Sequence, residues 1–202
     1  MENPRQDTKA RIVDNAVQMF SAKNYERVTM RDIAAAVGIK AASLYSHFKS
    51  KDDILTGVYE LFEETAAGIR PSPAALIAMA ETAPPKQAVG SAFFYFRPTD
   101  HEKMLRILNI AYMMSGSDRR SREFFQRHVF DAPRLYAGNI LRKLVSLGRI
   151  EPLDIENFLV LQTYFCFGAI LRSFTPGVSV REEWESGLNA LLELIRSTEQ
   201  EH

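Results

Sequence analysis

The 202-residue sequence predicts an all-α protein: an N-terminal three-helix domain with a helix-turn-helix, then a larger helical domain. Three observations carry this. Apolar residues recur at spacings of three and four along most of the chain. Ser or Thr stands three residues before Asp or Glu at four helix starts, Thr29/Asp32, Ser50/Asp53, Thr99/Glu102 and Ser179/Glu182, the spacing of a capping box. No stretch alternates apolar and polar residues as a half-buried strand would, and there is no internal repeat or low-complexity tract.

The elements follow in order. A first helix is expected from near Thr8 to Lys23, with Ile12, Val13, Ala16 and Phe20 on its inner face and Asn24 as a left-handed C-cap. Thr29 and Asp32 start the second helix, where Ile33, Ala34 and Val37 form the apolar face. Gly38 stands where the chain must turn, at a position suited to positive φ. The third helix buries Leu44 and Phe48. Ser50 and Asp53 open a fourth, running to about Ile69, and Pro71 and Pro73 end it. A short helix follows from Pro73 to Ala83. Pro85 opens another through Phe96, which Pro98 stops. Thr99 and Glu102 cap a helix to about Ser115. Residues 121–147 read as mainly helical and bent near Pro133, with Gly148 as the C′ residue. Asp154 caps a helix to about Phe174, Pro176-Gly177 is a loop, and the last helix runs to about Ser197. The domain boundary is placed after residue 50, giving domains 1–50 and 51–202.

Composition narrows the class. Hydrophobic residues make up 46% of the chain, ordinary for a globular protein. A single Cys excludes an intramolecular disulfide and suits a reducing cytoplasm. Residues 1–23 are charged and amphipathic, unlike a secretory signal. The longest apolar run, Phe158 to Leu171, is interrupted by Gln162 and Thr163 and falls short of the ~20 residues a membrane span needs. The net charge of zero is unevenly spread. Residues 1–51 hold nine Lys/Arg against five Asp/Glu, and residues 52–202 hold 16 against 20. A basic head on an acidic body suits a protein that presents one end to phosphate.

The stretch Thr29 to Lys51, TMRDIAAAVGIKAASLYSHFKSK, is the most informative. Two short helices joined by a tight turn, the second with one apolar and one polar face, have the layout of a helix-turn-helix whose second helix enters the major groove. Periodicity alone also fits an ordinary αα-corner. The outward residues suit DNA. Lys40 can reach a guanine edge or a phosphate. Ala41 and Ala42 leave room for close approach and can touch a thymine methyl, and Ser43 can bond a phosphate or a base. Tyr45 offers a hydroxyl to the backbone or a ring to a base, and His47 can donate to a phosphate. Thr29 and Lys51 each stand at a helix start beside the phosphate backbone, and Arg31 adds a further contact.

The run VTMRDIAAAVGIKAASLYSHFKSKDDIL resembles the DNA-binding segment of the TetR (tetracycline repressor) family of bacterial transcription regulators. The matching positions are Thr29, Gly38, Leu44-Tyr45-Ser46-His47-Phe48 and Lys51. The chain departs from the family pattern at Asn24 and Ala42, where Gly is frequent. The resemblance covers about the first quarter of the chain. It implies a homodimer on a palindromic double-stranded operator. Its bundle would be built by helices Ala132 to Leu147 and Asp154 to Phe174, with the amphipathic Trp184 helix against them. It also implies a ligand-binding and dimerisation domain holding a small-molecule pocket, for which Phe93, Phe94, Phe96, Met104, Leu108, Tyr112, Met113, Phe158, Gln162 and Phe165 are candidates. Arg106, Asn109 and Gln162 are polar groups within apolar stretches that could orient a ligand.

No catalytic constellation stands out. The four His, at 47, 101, 128 and 202, show no metal-binding spacing, and no Gly-rich phosphate loop or GxSxG occurs. Cys166 lies in an apolar helix, and pairs such as Asp52-Asp53 and Glu63-Glu64 read as solvated faces. Neither an enzyme nor a cofactor is expected, and no membrane partner. The competing class is an architectural protein that binds DNA without sequence preference or ligand.

Overall fold

The computed structural model describes residues 4–93, 102–175 and 177–198. Among them the regular structure is helical: α1 (Pro4–Lys23), α2 (Met30–Val37), α3 (Ala41–His47), α4 (Lys51–Ile69), α5 (Pro73–Thr82), α6 (Pro85–Ala92), α7 (Glu102–Met114), α8 (Arg119–Gln126), α9 (Ala132–Ser146), α10 (Ile155–Ser173) and α11 (Arg181–Leu192). The caps explain most boundaries. Ser72 accepts from the Ala75 N–H ahead of Pro73, and Asp154 accepts from the Asn157 N–H. Gly148, at φ 67°, closes α9 as its C′ residue. Its N–H reaches Val145 O, and the Arg149 N–H reaches Leu144 O.

Several boundaries differ from expectation. Helix α1 starts at Pro4, a turn before Thr8. The segment between α8 and α9, Arg127–Asp131, is a π-helical turn. It ends two residues before Pro133, which has no N–H to continue the i to i−4 ladder. Helix α11 has Val180 as its N-cap, with no side-chain capping bond, so the Ser179/Glu182 box does not form. That helix ends at Leu192 rather than near Ser197, because the chain beyond it pairs with the link after α9. The Glu151 N–H donates to Arg196 O and the Thr198 N–H to Arg149 O, an isolated bridge at Ile150 and Ser197. Burial of Ile150 and Ile195 draws the two segments together. The expected end of α6 near Phe96, and the Pro98, Thr99 and Pro176 signals, lie outside the described residues.

The chain forms two compact units. The first comprises the described residues of Met1–Gly68 and Glu102–Phe125. Its core is Ile12, Ala16, Val17 and Phe20 of α1, Ile33 of α2, Leu44 of α3, Ile54, Leu55, Val58 and Phe62 of α4, and Ile107 and Ala111 of α7. Helix α7 lies along α1. Lys103 Nζ pairs with Asp14 Oδ1 at 2.7 Å, and Arg106 donates to Gln18 Oε1 at 2.7 Å and also to Glu102. Helix α7 thus belongs to the first unit, and Arg106 is half-exposed and engaged by its neighbours, which corrects its reading as a polar group within an apolar stretch.

The second unit comprises the described residues of Ile69–His101 and Gln126–His202. Helix α9 is its hub, touching α5, α6 and α10 through buried Ala137, Gly138, Ile140, Leu141 and Leu144. Arg149 ties the end of α9 to α5, donating to Ala80 O at 2.7 Å. Helix α11 lies on α6 and α10. Its Trp184 is buried and stacks on Phe165 of α10, ring centroids 5.1 Å apart.

Gly187 is what allows that stack, since a Cβ there would lie 2.1 Å from Phe165 Cε2. Gly187→Ala would gain about 1 kcal/mol of helix propensity but forces the ring off Trp184, at about 1–3 kcal/mol. The variant is therefore expected to unfold at lower urea than the wild type, with Gly187→Ala/Phe165→Leu recovering most of the loss. A higher midpoint for the single variant would show that Phe165 is not held there.

Candidate nucleic-acid interface

The face that could meet nucleic acid is built by α2, α3 and the start of α4. Thr29 caps α2 reciprocally: the Asp32 N–H donates to Thr29 Oγ1, while Asp32 Oδ2 accepts from both the Thr29 N–H and its hydroxyl. The Thr29 hydroxyl and amide hold the Asp32 carboxyl below its ordinary range. Gly38 takes the left-handed conformation, φ 76° and ψ 32°, and its N–H closes α2 onto Ala34 O and Ala35 O. Arg11 adds a clamp that sequence reading missed, its guanidinium donating to Val37 O at 2.8 Å. No local spacing signals it, because Arg11 and Val37 lie 26 residues apart.

Helix α3 is held from behind. Leu44 is fully buried and Phe48 nearly so. Gly57 on α4 makes room, since a Cβ there would come 3.2 Å from Val13 Cγ2 and 3.3 Å from Phe48 Cε1. With that side buried, Lys40, Ala42, Ser43 and Tyr45 face solvent, Tyr45 at 52% exposure. Ala41 and His47 are half-buried. Thr29 and Arg31 are exposed at the start of α2. Lys40 is the extended N-cap of α3 and makes no side-chain capping bond.

Lys51 is tied more closely than its sequence position suggests. Its ammonium donates to Tyr25 O at 2.8 Å and lies 4.1 Å from the centre of the Tyr25 ring. The Tyr25 hydroxyl in turn donates to Asp52 Oδ1 at 2.5 Å, and burial followed by that bond pushes its pKa well above the tyrosine range. Tyr25 and Asp52 are supporting residues; sequence reading passed over Tyr25 and took Asp52 only as part of a solvated face. Their partnership spans 27 residues and leaves no periodic trace.

Residues 12–58 match the family model described as bacterial regulatory proteins, tetR family. The chain is 54% identical over 46 residues to the biofilm operon icaADBC HTH-type negative transcriptional regulator IcaR of Staphylococcus aureus (strain Newman). Residues 12–58 are a TetR-family domain. The alignment with IcaR covers 23% of this chain, which spans 25% of that relative. The whole-chain likeness is one of fold. The solved SmeT–triclosan complex superposes with a TM-score of 0.70 at 17% identity, covering 95% of this chain and 93% of that one. The TetR family transcriptional regulator PfmR of Thermus thermophilus superposes with a TM-score of 0.66 at 21% identity, covering 94% and 100%. The fold is thus all-α, with an N-terminal helix-turn-helix of TetR type and a helical C-terminal domain.

The ligand candidates do not gather in one unit. Met104, Leu108, Tyr112 and Met113 belong to the first, where Met104 and Leu108 are core and Tyr112 and Met113 are exposed. Phe93, Phe158, Gln162 and Phe165 belong to the second. Phe94 and Phe96 lie outside the described residues. Phe93 and Phe158 are buried, and Phe165 is engaged by Trp184 and Gly187. Gln162 is fully buried. Its amide N–H reaches Pro133 O at 3.4 Å, while its Oε1 has no hydrogen-bond partner. Cys166 is a buried thiol whose pKa is raised by burial. Among the described residues no cluster of three His, Cys, Asp or Glu could hold a metal, and no helix is long and apolar enough to cross a membrane.

The end of α1 in the TetR-type domain carries backbone strain. Asn24 sits at φ 66° and ψ 147°, positive in φ but not the left-handed helical C-cap that its residue type suggests. That region is close to Gly-only and costs other residues about 1–3 kcal/mol. Asn24→Gly is expected to stabilise the fold by about 1 kcal/mol, after allowing for the greater freedom of Gly in the unfolded chain. Urea unfolding followed by circular dichroism reads this directly. A lower midpoint would mean that contacts of the Asn24 side chain outweigh the strain.

Proposed function

We propose that the protein is a ligand-responsive transcription regulator, most simply a repressor, that binds a palindromic operator as a homodimer. The observation that carries the DNA-binding part is the solvent-facing surface of α3. Lys40, Ser43 and Tyr45 stand out from a helix whose other side is locked by Leu44 and Phe48. The short match to a negative transcriptional regulator supports repression over activation. In this reading Lys40, Ala41, Ala42, Ser43 and Tyr45 face the major groove, and Thr29, Arg31, His47 and Lys51 hold the phosphates. Two α3 helices would lie about 34–36 Å apart, one turn of duplex.

Dimerisation is read from the second unit. Val160, Leu161 and Tyr164 make one exposed stripe on α10, and Leu135 of α9 is exposed as well. A stripe of this kind calls for a partner, and a second copy of the chain answers the resemblance. Sedimentation at micromolar concentration is expected to show a dimer. A species near 22.9 kDa alone would overturn this part. Ligand control is supported by the buried, unpartnered Oε1 of Gln162, since an unsatisfied buried acceptor costs about 1–3 kcal/mol. A hydrophobic or amphipathic small molecule with a donor group would satisfy it. The bound triclosan is a property of SmeT and supports only the class. Release would follow if the ligand favoured a conformer whose reading heads no longer fit the operator.

The test begins with duplexes selected by the wild-type protein from a random library. Tyr45→Ala and Lys40→Ala are each expected to weaken binding to the selected duplex about tenfold or more, with dimerisation and helix content intact. Lys51→Ala is expected to weaken binding to every duplex and lower the salt slope by about one. Unchanged binding by Tyr45→Ala would remove α3 as the reading helix. Equal affinity of the wild type for all duplexes would favour an architectural protein instead.

A further inference from the structure

A second set of polar contacts in the first unit reaches the flank of the helix-turn-helix from far along the chain. At the start of α8, Ser121 is fully buried. Its hydroxyl and N–H both donate to Asp118 Oδ2, and the buried Tyr59 of α4 donates to Ser121 Oγ at 2.7 Å. Tyr59 also stacks on Phe124, ring centroids 4.2 Å apart, and Phe62 meets the same ring edge-on. Burial pushes the Tyr59 hydroxyl up to about 12, so it remains a donor across the physiological range. This pins the first turn of α8 to the middle of α4.

From that anchor Arg120 extends towards the first turn of α4. It donates to Thr56 Oγ1 at 2.9 Å and lies 3.6 Å from Asp52 Oδ1, the same oxygen that accepts from the Tyr25 hydroxyl. Tyr25 receives the Lys51 ammonium at its carbonyl and under its ring. A chain of contacts therefore runs from α8 through Arg120, Asp52 and Tyr25 to Lys51. The exposed Arg120–Asp52 pair contributes little to stability, so its value is in orientation.

We propose that Arg120 is a positioning residue for DNA binding: it holds the first turn of α4 against Tyr25 and so sets where Lys51 meets the phosphate backbone. The inference rests on the DNA-binding reading above. It goes beyond that reading by assigning control of the contact to a residue outside the TetR-type domain.

The experiment uses the full chain and the duplex selected by the wild type. Arg120→Ala is expected to bind about tenfold more weakly, with the wild-type salt slope, because Arg120 itself does not meet phosphate. Arg120→Lys, which keeps the charge and one donor, is expected to fall between. In a Lys51→Ala background, Arg120→Ala is expected to add less than about twofold, the non-additivity of residues acting through one contact. Thr56→Val, which removes the acceptor of the Arg120 bond and leaves Arg120 in place, is expected to weaken binding in the same direction. That arm stands even if Arg120→Ala misfolds. Binding by Arg120→Ala and Thr56→Val within twofold of the wild type would overturn the proposal. So would full additivity with Lys51→Ala, or a salt slope lowered by about one, which would make Arg120 a direct phosphate contact. If the wild type enriches no duplex, the DNA-binding reading falls and this proposal falls with it. Enrichment with insensitive variants defeats the proposal alone.

Discussion

The outward surface of α3 depends on one packing constraint, the burial of Leu44 and Phe48 behind a helix of only seven residues. A helix that short has no stability of its own in water, so the direction of its outward face is set by what lies behind it. Two side chains on α3 and its C-cap reach inward, and Gly57 lets α4 come close enough to close over them. The capping box of α2 and the left-handed Gly38 fix the chain on the entry side, and the Arg11 clamp holds the end of α2. Lys40, Ser43 and Tyr45 are exposed as a consequence of that arrangement rather than by any preference of their own.

Around this core the polar contacts divide by burial. The Lys103–Asp14 and Arg120–Asp52 pairs are solvent-exposed and contribute at most about 1 kcal/mol each. The Tyr59–Ser121 bond is buried, and losing either partner would strand a polar group. Stability in the first unit therefore comes from apolar burial and a few enclosed hydrogen bonds, while the exposed charges orient helix ends. This is why the packing unit extends past α4 to include α7 and α8. Tyr59, Phe62 and the inner face of α1 need those helices as cover.

The second unit is organised by α9, buried along most of one side, with small residues at the tight crossings. Gly138 lets Leu159 approach and Gly187 admits the Phe165 ring, each a place where a side chain would keep two helices apart. The apolar stripe of Val160, Leu161 and Tyr164 is left exposed among the described residues. Gln162, the residue after Leu161 on the same helix, is fully buried in the core.

Most helices, and the whole of the helix-turn-helix, were legible in the sequence, because caps, prolines, Gly38 and three-to-four periodicity act over distances of a few residues. The Thr29/Asp32 box and the outward set on α3 follow from those local rules alone. The errors arose where distant segments compete. The Ser179/Glu182 box fails, and α11 stops at Leu192, because the chain beyond it pairs with residues 149–151. Arg106 looked like a stranded polar group until α1 supplied Gln18 as its partner. Arg11, Tyr25, Asp52 and Arg120 carry no local signal, since each acts on a residue at least 26 positions away. The sequence by itself determined which segments are helices and which face of α3 is turned outward, because hydrogen-bond capping and hydrophobic periodicity are short-range. Only the tertiary structure decided which helices share a core and which polar groups brace the helix-turn-helix, because those choices depend on burial that no single segment can achieve alone.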